Sequence, residues 1–198
     1  MQTVLPTRLA SRQMLGDLTA TPTGRILLAL SANALLAVSA HVSLPLFFTP
    51  VPLTLQTLVV LLTGLLLAPS LAFSTMVLYL AEGAAGLPVF SPAGLGGVAQ
   101  LLGATGGFLM SYPFAAALAG FLVRAAGPQR SRFAAALTAG SAATFIILLA
   151  GGLWLGHFVH ANVNTAAALG VTPFLPGEVI KVIAAAGIYA GLRRYVRH

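Results

Sequence analysis

Two ionisable residues, Glu178 and Lys181, stand three positions apart in an otherwise apolar part of the chain. That spacing places both side chains on one face of a helix, where a carboxylate and an ammonium can pair. A carboxylate accepts hydrogen bonds from N–H groups, and an ammonium donates to carbonyl or carboxylate oxygens. The pair therefore fits either a clamp for a small polar ligand or a structural ion pair that neutralises itself.

Three further polar residues also stand in apolar sequence. Gln56 follows two prolines and opens a predicted helix, where its amide fits a ligand contact or a cap. Tyr79 and Glu82 share a helix face; Tyr79 fits a ligand contact or an aromatic residue at a membrane surface, and Glu82 fits a ligand contact or a bond to nearby backbone. The candidate substrate-binding residues are therefore Gln56, Tyr79, Glu82, Glu178 and Lys181.

The elements that position these residues must lie in a membrane. Of 198 residues, 58% are hydrophobic and only 7% are charged, whereas about a quarter of an ordinary soluble domain is charged. Three stretches contain no charged residue: 56 residues between Arg25 and Glu82, 41 between Glu82 and Arg124, and 45 between Arg132 and Glu178. Since a helix needs about 20 apolar residues to cross a bilayer, the chain is predicted to be a polytopic membrane protein.

We predict an all-α membrane protein with six transmembrane helices in one bundle. A barrel is disfavoured because the apolar runs are continuous rather than alternating. The polar segment 1–24 lacks the apolar core of a signal peptide and is predicted to be a cytoplasmic N-terminal segment; 195–198 is a cytoplasmic tail. The predicted spans are 25–46, 53–68, 71–87, 103–125, 133–156 and 174–194, with a turn at Pro69-Ser70.

The arginines predict the orientation. All nine fall in the N-terminal segment, the fourth connection or the tail, and the connections 47–52, 88–102 and 157–173 contain no arginine or lysine. The positive-inside rule therefore places both termini in the cytoplasm. Glu82, Glu178, Lys181 and Gln56 then gather in the outer third of the bundle, where buried polar groups indicate function. The uncharged segment 88–102 is predicted to fold onto the bundle as a lid.

Several other functions are disfavoured by the sequence. The formal charge of +7 is not arranged as a basic patch interleaved with aromatics, so nucleic acid is not an expected partner. The run 94–99 fits a G-x-G-x-x-A pattern, but no strand precedes it, and a Gly-Lys-Ser/Thr phosphate loop is absent. His157 and His160 are too few for a metal site. No base–nucleophile set is visible, so we expect no enzyme activity.

Four motifs together resemble one family. They are the run 49–57 around Gln56, the run 79–90, the run Gly103 to Phe108, and Pro176-Gly177-Glu178 with Lys181. In this order they resemble the BioY family, the biotin-binding S components of energy-coupling factor (ECF) transporters. The resemblance covers about 45–113 and 173–181 of the sequence.

The resemblance implies a function and a set of partners. It implies six helices, a biotin pocket near the outer face closed by the first and third connections, and a location in the cytoplasmic membrane of a prokaryote. Biotin is then a transported ligand, and no cofactor is expected. A transmembrane T component and paired cytoplasmic ATPases would supply the energy. The family's acidic-x-x-Lys pair falls on Glu178 and Lys181, and its helix-opening Gln on Gln56.

Two differences from the family pattern concern the pocket. Many members have Asp where this chain has Glu178, and many carry a basic residue in the loop that matches Ser91 to Gly97, where this chain has none. The alternative function is a self-sufficient, proton-coupled secondary transporter of biotin or another small vitamin, with Glu82 and Glu178 as relay groups. That class predicts repeated halves with matching interrupted helices, which the sequence does not show.

Overall fold

The computed structural model describes residues 21–127 and 131–195. The predicted N-terminal segment lies almost wholly outside the described residues, as do Arg130, Arg197 and nearly all of the predicted tail. The described elements, in chain order, are α1 (Pro22–His41), β1 (Ser43–Leu44), β2 (Leu53–Thr54), α2 (Gln56–Leu66), α3 (Pro69–Ala84), α4 (Gly97–Leu102), α5 (Gly106–Ala125), α6 (Arg132–Phe158), α7 (Val163–Gly170), a 3-10 turn (Thr172–Phe174) and α8 (Leu175–Tyr195).

Local chemistry explains where several helices begin. Thr21 caps α1 by accepting from the backbone N–H of Gly24 at 3.1 Å, and Ser131 caps α6 by accepting from that of Ala134 at 3.1 Å. Small hydroxyl side chains are preferred at this position because they satisfy otherwise unpaired N–H groups. Pro69 occupies the first turn of α3 after the extended residue Ala68. The predicted turn at Pro69-Ser70 is thus wrong, because proline starts this helix instead of separating two.

Four helical segments within the described residues are long and apolar enough to cross a membrane: Pro22–His41, Gly106–Ala125, Arg132–Phe158 and Val163–Leu192. The helices observed at the second and third predicted spans are shorter, with 11 residues in α2 and 16 in α3. At 1.5 Å per residue, α2 extends over about 16 Å, roughly half the hydrocarbon core.

The second helix is short because its predicted beginning is used differently. Leu53 and Thr54 pair with Leu44 and Ser43 as a two-stranded antiparallel hairpin. The hydroxyl of Thr54 then accepts from the backbone N–H of Gln56 at 3.4 Å. The polar residue Gln56 is consequently the first residue of α2 and lies directly below the hairpin.

Helix α5 forms the centre of the bundle. It packs against α2, α3 and α6, and α6 packs in turn against α8. One face of α5 is buried along its whole length, from Gly106 to Val123. Helix α1 packs only on α2 and α3 among the helices with extensive contacts, and Ile26, Leu30 and Val38 on it are exposed. Large exposed apolar side chains are expected where a protein faces lipid.

Candidate functional site

A cavity lies at the end of the bundle where α2, α5 and α8 begin. The hairpin covers it through Val51 to Thr54, and the lid 88–102 covers it through Ser91 and Gln100. Phe108, Tyr112, Ile147 and Phe174 are among its apolar and aromatic walls. Its polar groups are Thr54, Gln56, Thr57, Ser91, Gln100, Thr105, Glu178 and Lys181.

Glu178 and Lys181 form a buried ion pair in this cavity. The distance from Lys181 Nζ to Glu178 Oε1 is 2.7 Å, and the two residues are only 4% and 6% exposed. Two buried charges are stable only when they are paired and hydrogen-bonded. The pairing predicted from the three-residue spacing is therefore present, and it lies in the cavity wall.

Thr57 completes the pair from a different helix. Its hydroxyl donates to Glu178 Oε1 at 2.8 Å and accepts from Lys181 Nζ at 2.9 Å. Glu178 Oε1 thus accepts two hydrogen bonds, while the buried Oε2 has no partner among the described protein groups. Lys181 carries three N–H donors, of which these contacts use two. One oxygen of Glu178 and one N–H of Lys181 are thus without a partner among the described residues.

Gln56 is connected to the lid through Tyr79. Its Nε2 donates to the Tyr79 hydroxyl at 2.6 Å, and that hydroxyl donates to the backbone carbonyl of Val89 at 2.7 Å. Tyr79 is completely buried, so it is not an aromatic residue at the membrane surface. It is also absent from the cavity wall and instead supports Gln56, which does line the cavity.

Glu82 lies apart from the other candidates. Its Oε2 accepts from Asn33 Nδ2 of α1 at 3.1 Å, and Glu82 is not a lining residue of the cavity. The carboxylate thus links α1 to α3. The structure brings Gln56, Glu178 and Lys181 together around one cavity, with Tyr79 behind them; their contact with a substrate stays a prediction.

The lid folds onto the bundle, as its lack of charge predicts. Phe90 is buried and packs edge-on against Tyr79, with 5.4 Å between the ring centroids. The side chain of Gln100 donates to the backbone carbonyl of Ser91 at 3.3 Å and accepts from the backbone N–H of Gly96 at 3.1 Å. The Gln100 side chain therefore joins the backbone at Ser91 to the backbone at Gly96 and stabilises the folded loop.

Several cavity residues were not predicted as site residues. Thr57 is adjacent to Gln56 in the sequence motif. Its hydrogen-bond partners lie more than 120 positions away in the sequence, so no local pattern indicates them. For Gln100 and Ser91, the only sequence feature that could indicate a site residue is a polar side chain within the uncharged segment 88–102. Tyr112 lies within an apolar helix, where an aromatic residue is an ordinary core residue.

Comparison with known proteins places this arrangement in a family. The sequence model of the BioY family matches residues 10–198. The chain belongs to the BioY family. A protein of Pyrococcus horikoshii named as a probable biotin transporter BioY is 38% identical over 152 residues, which cover 77% of this chain and 85% of that protein. The biotin transporter BioY of Thermotoga maritima is 35% identical over 162 residues, which cover 82% of this chain and 91% of that protein.

The fold of this BioY-family chain also matches a solved structure. The crystal structure of the S-component for biotin from an ECF-type ABC transporter superposes with a TM-score of 0.77 over 97% of this chain and 95% of that one. The two sequences are 22% identical. The likeness therefore shows that the two chains share a fold.

Proposed function

We propose that the chain binds biotin in this cavity and acts as the substrate-binding subunit of an uptake system. The observation that carries the proposal is that Glu178 Oε2 has no partner among the described residues, although this carboxylate is paired with Lys181 in the cavity wall. Biotin has a ureido group in which an N–H stands next to a C=O. Oε2 accepts from that N–H and Lys181 donates to the carbonyl, so the two protein groups match one edge of the ureido ring.

The rest of the cavity suits the remainder of biotin. Its bicycle is apolar, and the cavity walls include Phe108, Tyr112, Ile147 and Phe174. A mostly apolar cavity with a few convergent polar groups is the usual form of a small-molecule site. The family membership and the biotin transporters among the relatives support the same ligand.

Calorimetric titration of the purified protein tests the proposal. Biotin is expected to bind with 1:1 stoichiometry, and thiamine and riboflavin, which lack the ureido bicycle, are expected to give no heat of binding. Stronger binding of either of those vitamins than of biotin would contradict the assignment.

We further propose that the chain crosses the cytoplasmic membrane of a prokaryote six times, with both termini in the cytoplasm. The arrangement of all nine arginines supports this orientation. The two short helices α2 and α3 would form the second and third spans, with the hairpin above α2 extending the second.

A transmembrane T component and paired cytoplasmic ATPases are the proposed energy source. The chain contains no Gly-Lys-Ser/Thr phosphate loop, and the solved relative in fold is named as part of an ECF-type ABC transporter. The purified chain alone is expected not to hydrolyse ATP. Biotin uptake in cells that lack every T component and ECF ATPase would instead support the secondary-transporter alternative.

A further inference from the structure

Thr57 uses its hydroxyl differently from two other buried threonines of the bundle. Thr63 and Thr75 donate to the backbone carbonyls of Val59 and Leu71, four residues earlier in their own helices, at 2.8 and 2.7 Å. Such bonds satisfy the hydroxyl locally. The Thr57 hydroxyl instead crosses from α2 to α8, where it donates to Glu178 and accepts from Lys181.

This bridge decides which oxygen of Glu178 is occupied. The terminal torsion of a glutamate side chain is broad and roughly two-fold, so its oxygens are interchangeable unless a neighbour distinguishes them. Lys181 alone is a rotatable cation and does not distinguish them. The Thr57 hydroxyl, held at the second position of α2, adds a second donor to Oε1, whereas Oε2 has no partner within the part of the chain that the structure describes.

We propose that Thr57 is a positioning residue that sets the preference of the site for a ligand N–H next to a carbonyl. The proposal rests on the proposed function, because it names what orients the two groups assigned there to the ureido edge. The Thr57 hydroxyl donates to Glu178 Oε1 and accepts one N–H of Lys181, so neither of these two groups is available to the ligand. Oε2 and the remaining N–H of Lys181 are then fixed as a neighbouring acceptor and donor.

The test compares three ligands and four proteins. The ligands are biotin and its two derivatives that carry a single methyl group on one or the other ureido nitrogen; one of these derivatives lacks the N–H that Oε2 accepts. The proteins are the wild type, Thr57→Val, Thr57→Ser and Thr63→Val. Valine has nearly the shape of threonine without the hydroxyl, and Thr63→Val removes a buried hydroxyl of the same helix that bonds only to backbone.

The wild type is expected to prefer biotin over one methylated derivative by about 100-fold, since a buried carboxylate would be left unpaired. In Thr57→Val we expect biotin affinity to fall about 10-fold while affinity for that derivative changes less than about 2-fold, so the preference falls from about 100-fold to about 10-fold. Thr57→Ser restores the preference, and Thr63→Val keeps it at the wild-type value.

Two results would overturn the proposal. One is a Thr57→Val protein that keeps the wild-type preference. The other is a uniform loss of affinity for all three ligands, which indicates a purely structural role for the hydroxyl. If Thr57→Val does not fold, Thr57→Ala also lacks the hydroxyl and takes its place with the same expected fall in preference. Failure of the wild type to bind biotin at all would contradict the proposed function instead, so the two failures are distinguishable.

Discussion

Gln56 Nε2 donates to the Tyr79 hydroxyl over 2.6 Å, and so the first residue of α2 is tied to the middle of α3. The same hydroxyl donates a hydrogen bond to the backbone carbonyl of Val89 at the start of the lid. Two groups, the amide of Gln56 and the carbonyl of Val89, are satisfied by one phenol. The relay therefore connects a cavity-lining amide with the covering segment.

Replacing Tyr79 with Phe breaks this relay without removing the ring. Phe90 keeps its edge-on aromatic neighbour, but the amide of Gln56 and the carbonyl of Val89 lose their partner. We expect a loss of about 1–3 kcal/mol of stability, the usual cost of leaving a buried polar group unpaired. Thermal unfolding in detergent measures it, and an unchanged midpoint would show that the relay contributes nothing. Biotin affinity should fall less than in a Glu178 variant, because Tyr79 does not line the cavity.

The ion pair itself is tested by Glu178→Gln and Lys181→Met. Each change removes one charge and leaves the other buried and unpaired, so we expect biotin binding to weaken by about 2–5 kcal/mol, as for truncated buried charge pairs. Titration calorimetry gives the affinity and thermal unfolding gives the stability of the same samples. Loss of stability with unchanged affinity would mean a structural pair only, and Gln56 would then be the better candidate for the ligand contact.

The position of the lid depends on Gly83. A Cβ atom built on Gly83 would overlap the ring of Phe90, and overpacking of this kind costs about 1–3 kcal/mol. We therefore expect Gly83→Ala to lower the unfolding temperature and weaken biotin binding, because Phe90 immediately precedes the cavity residue Ser91. Gly187→Ala is the matched control, since nothing lies within 4 Å of that Cβ position in α8.

The control is expected to gain about 0.5–1 kcal/mol, as alanine replaces glycine inside a helix. Equal stability of the two alanine variants would contradict the role given to Gly83.

The proposed orientation has a direct chemical test, because the chain contains no cysteine. Single cysteines in place of Gln2 and His198 should resist a membrane-impermeant thiol reagent in intact cells and react after the cells are opened. A cysteine in place of Leu95, which is 86% exposed in the lid, should react from outside. Labelling of both terminal cysteines in intact cells would contradict the proposed orientation.

The sequence predicts the long helices and the Glu178–Lys181 pair because both depend on local patterns. Hydrophobic runs of 20 or more residues specify helices in a membrane, and a spacing of three places two side chains on one face. The bounds of α5 and α6 accordingly lie within a few residues of the predicted ones.

Features that depend on distant partners could not be predicted. Two-residue strands have too few positions to show an alternating pattern, so the sequence does not predict the hairpin. Because Leu53 and Thr54 belong to the hairpin, α2 begins at Gln56 and is shorter than the predicted span 53–68. The short helices α4 and α7 lie in segments whose glycines and prolines favour loops. The position of Glu82 in the outer third of the predicted bundle makes it a candidate substrate contact, whereas in the structure it accepts a hydrogen bond from Asn33 of α1. The role of Thr57 depends on α2 meeting α8, which no local pattern reveals.

The bridge from Thr57 to Glu178 and Lys181 joins residues 121 and 124 positions apart. Both charges belong to α8, the last helix among the described residues. A chain that ends between Phe174 and α8 therefore contains the hairpin, the lid and the aromatic walls but neither charged residue of the cavity. The charged groups of the cavity are present only once α8 has been synthesised, so biotin bound during assembly would stabilise chains that contain α8 and leave shorter ones to proteolysis.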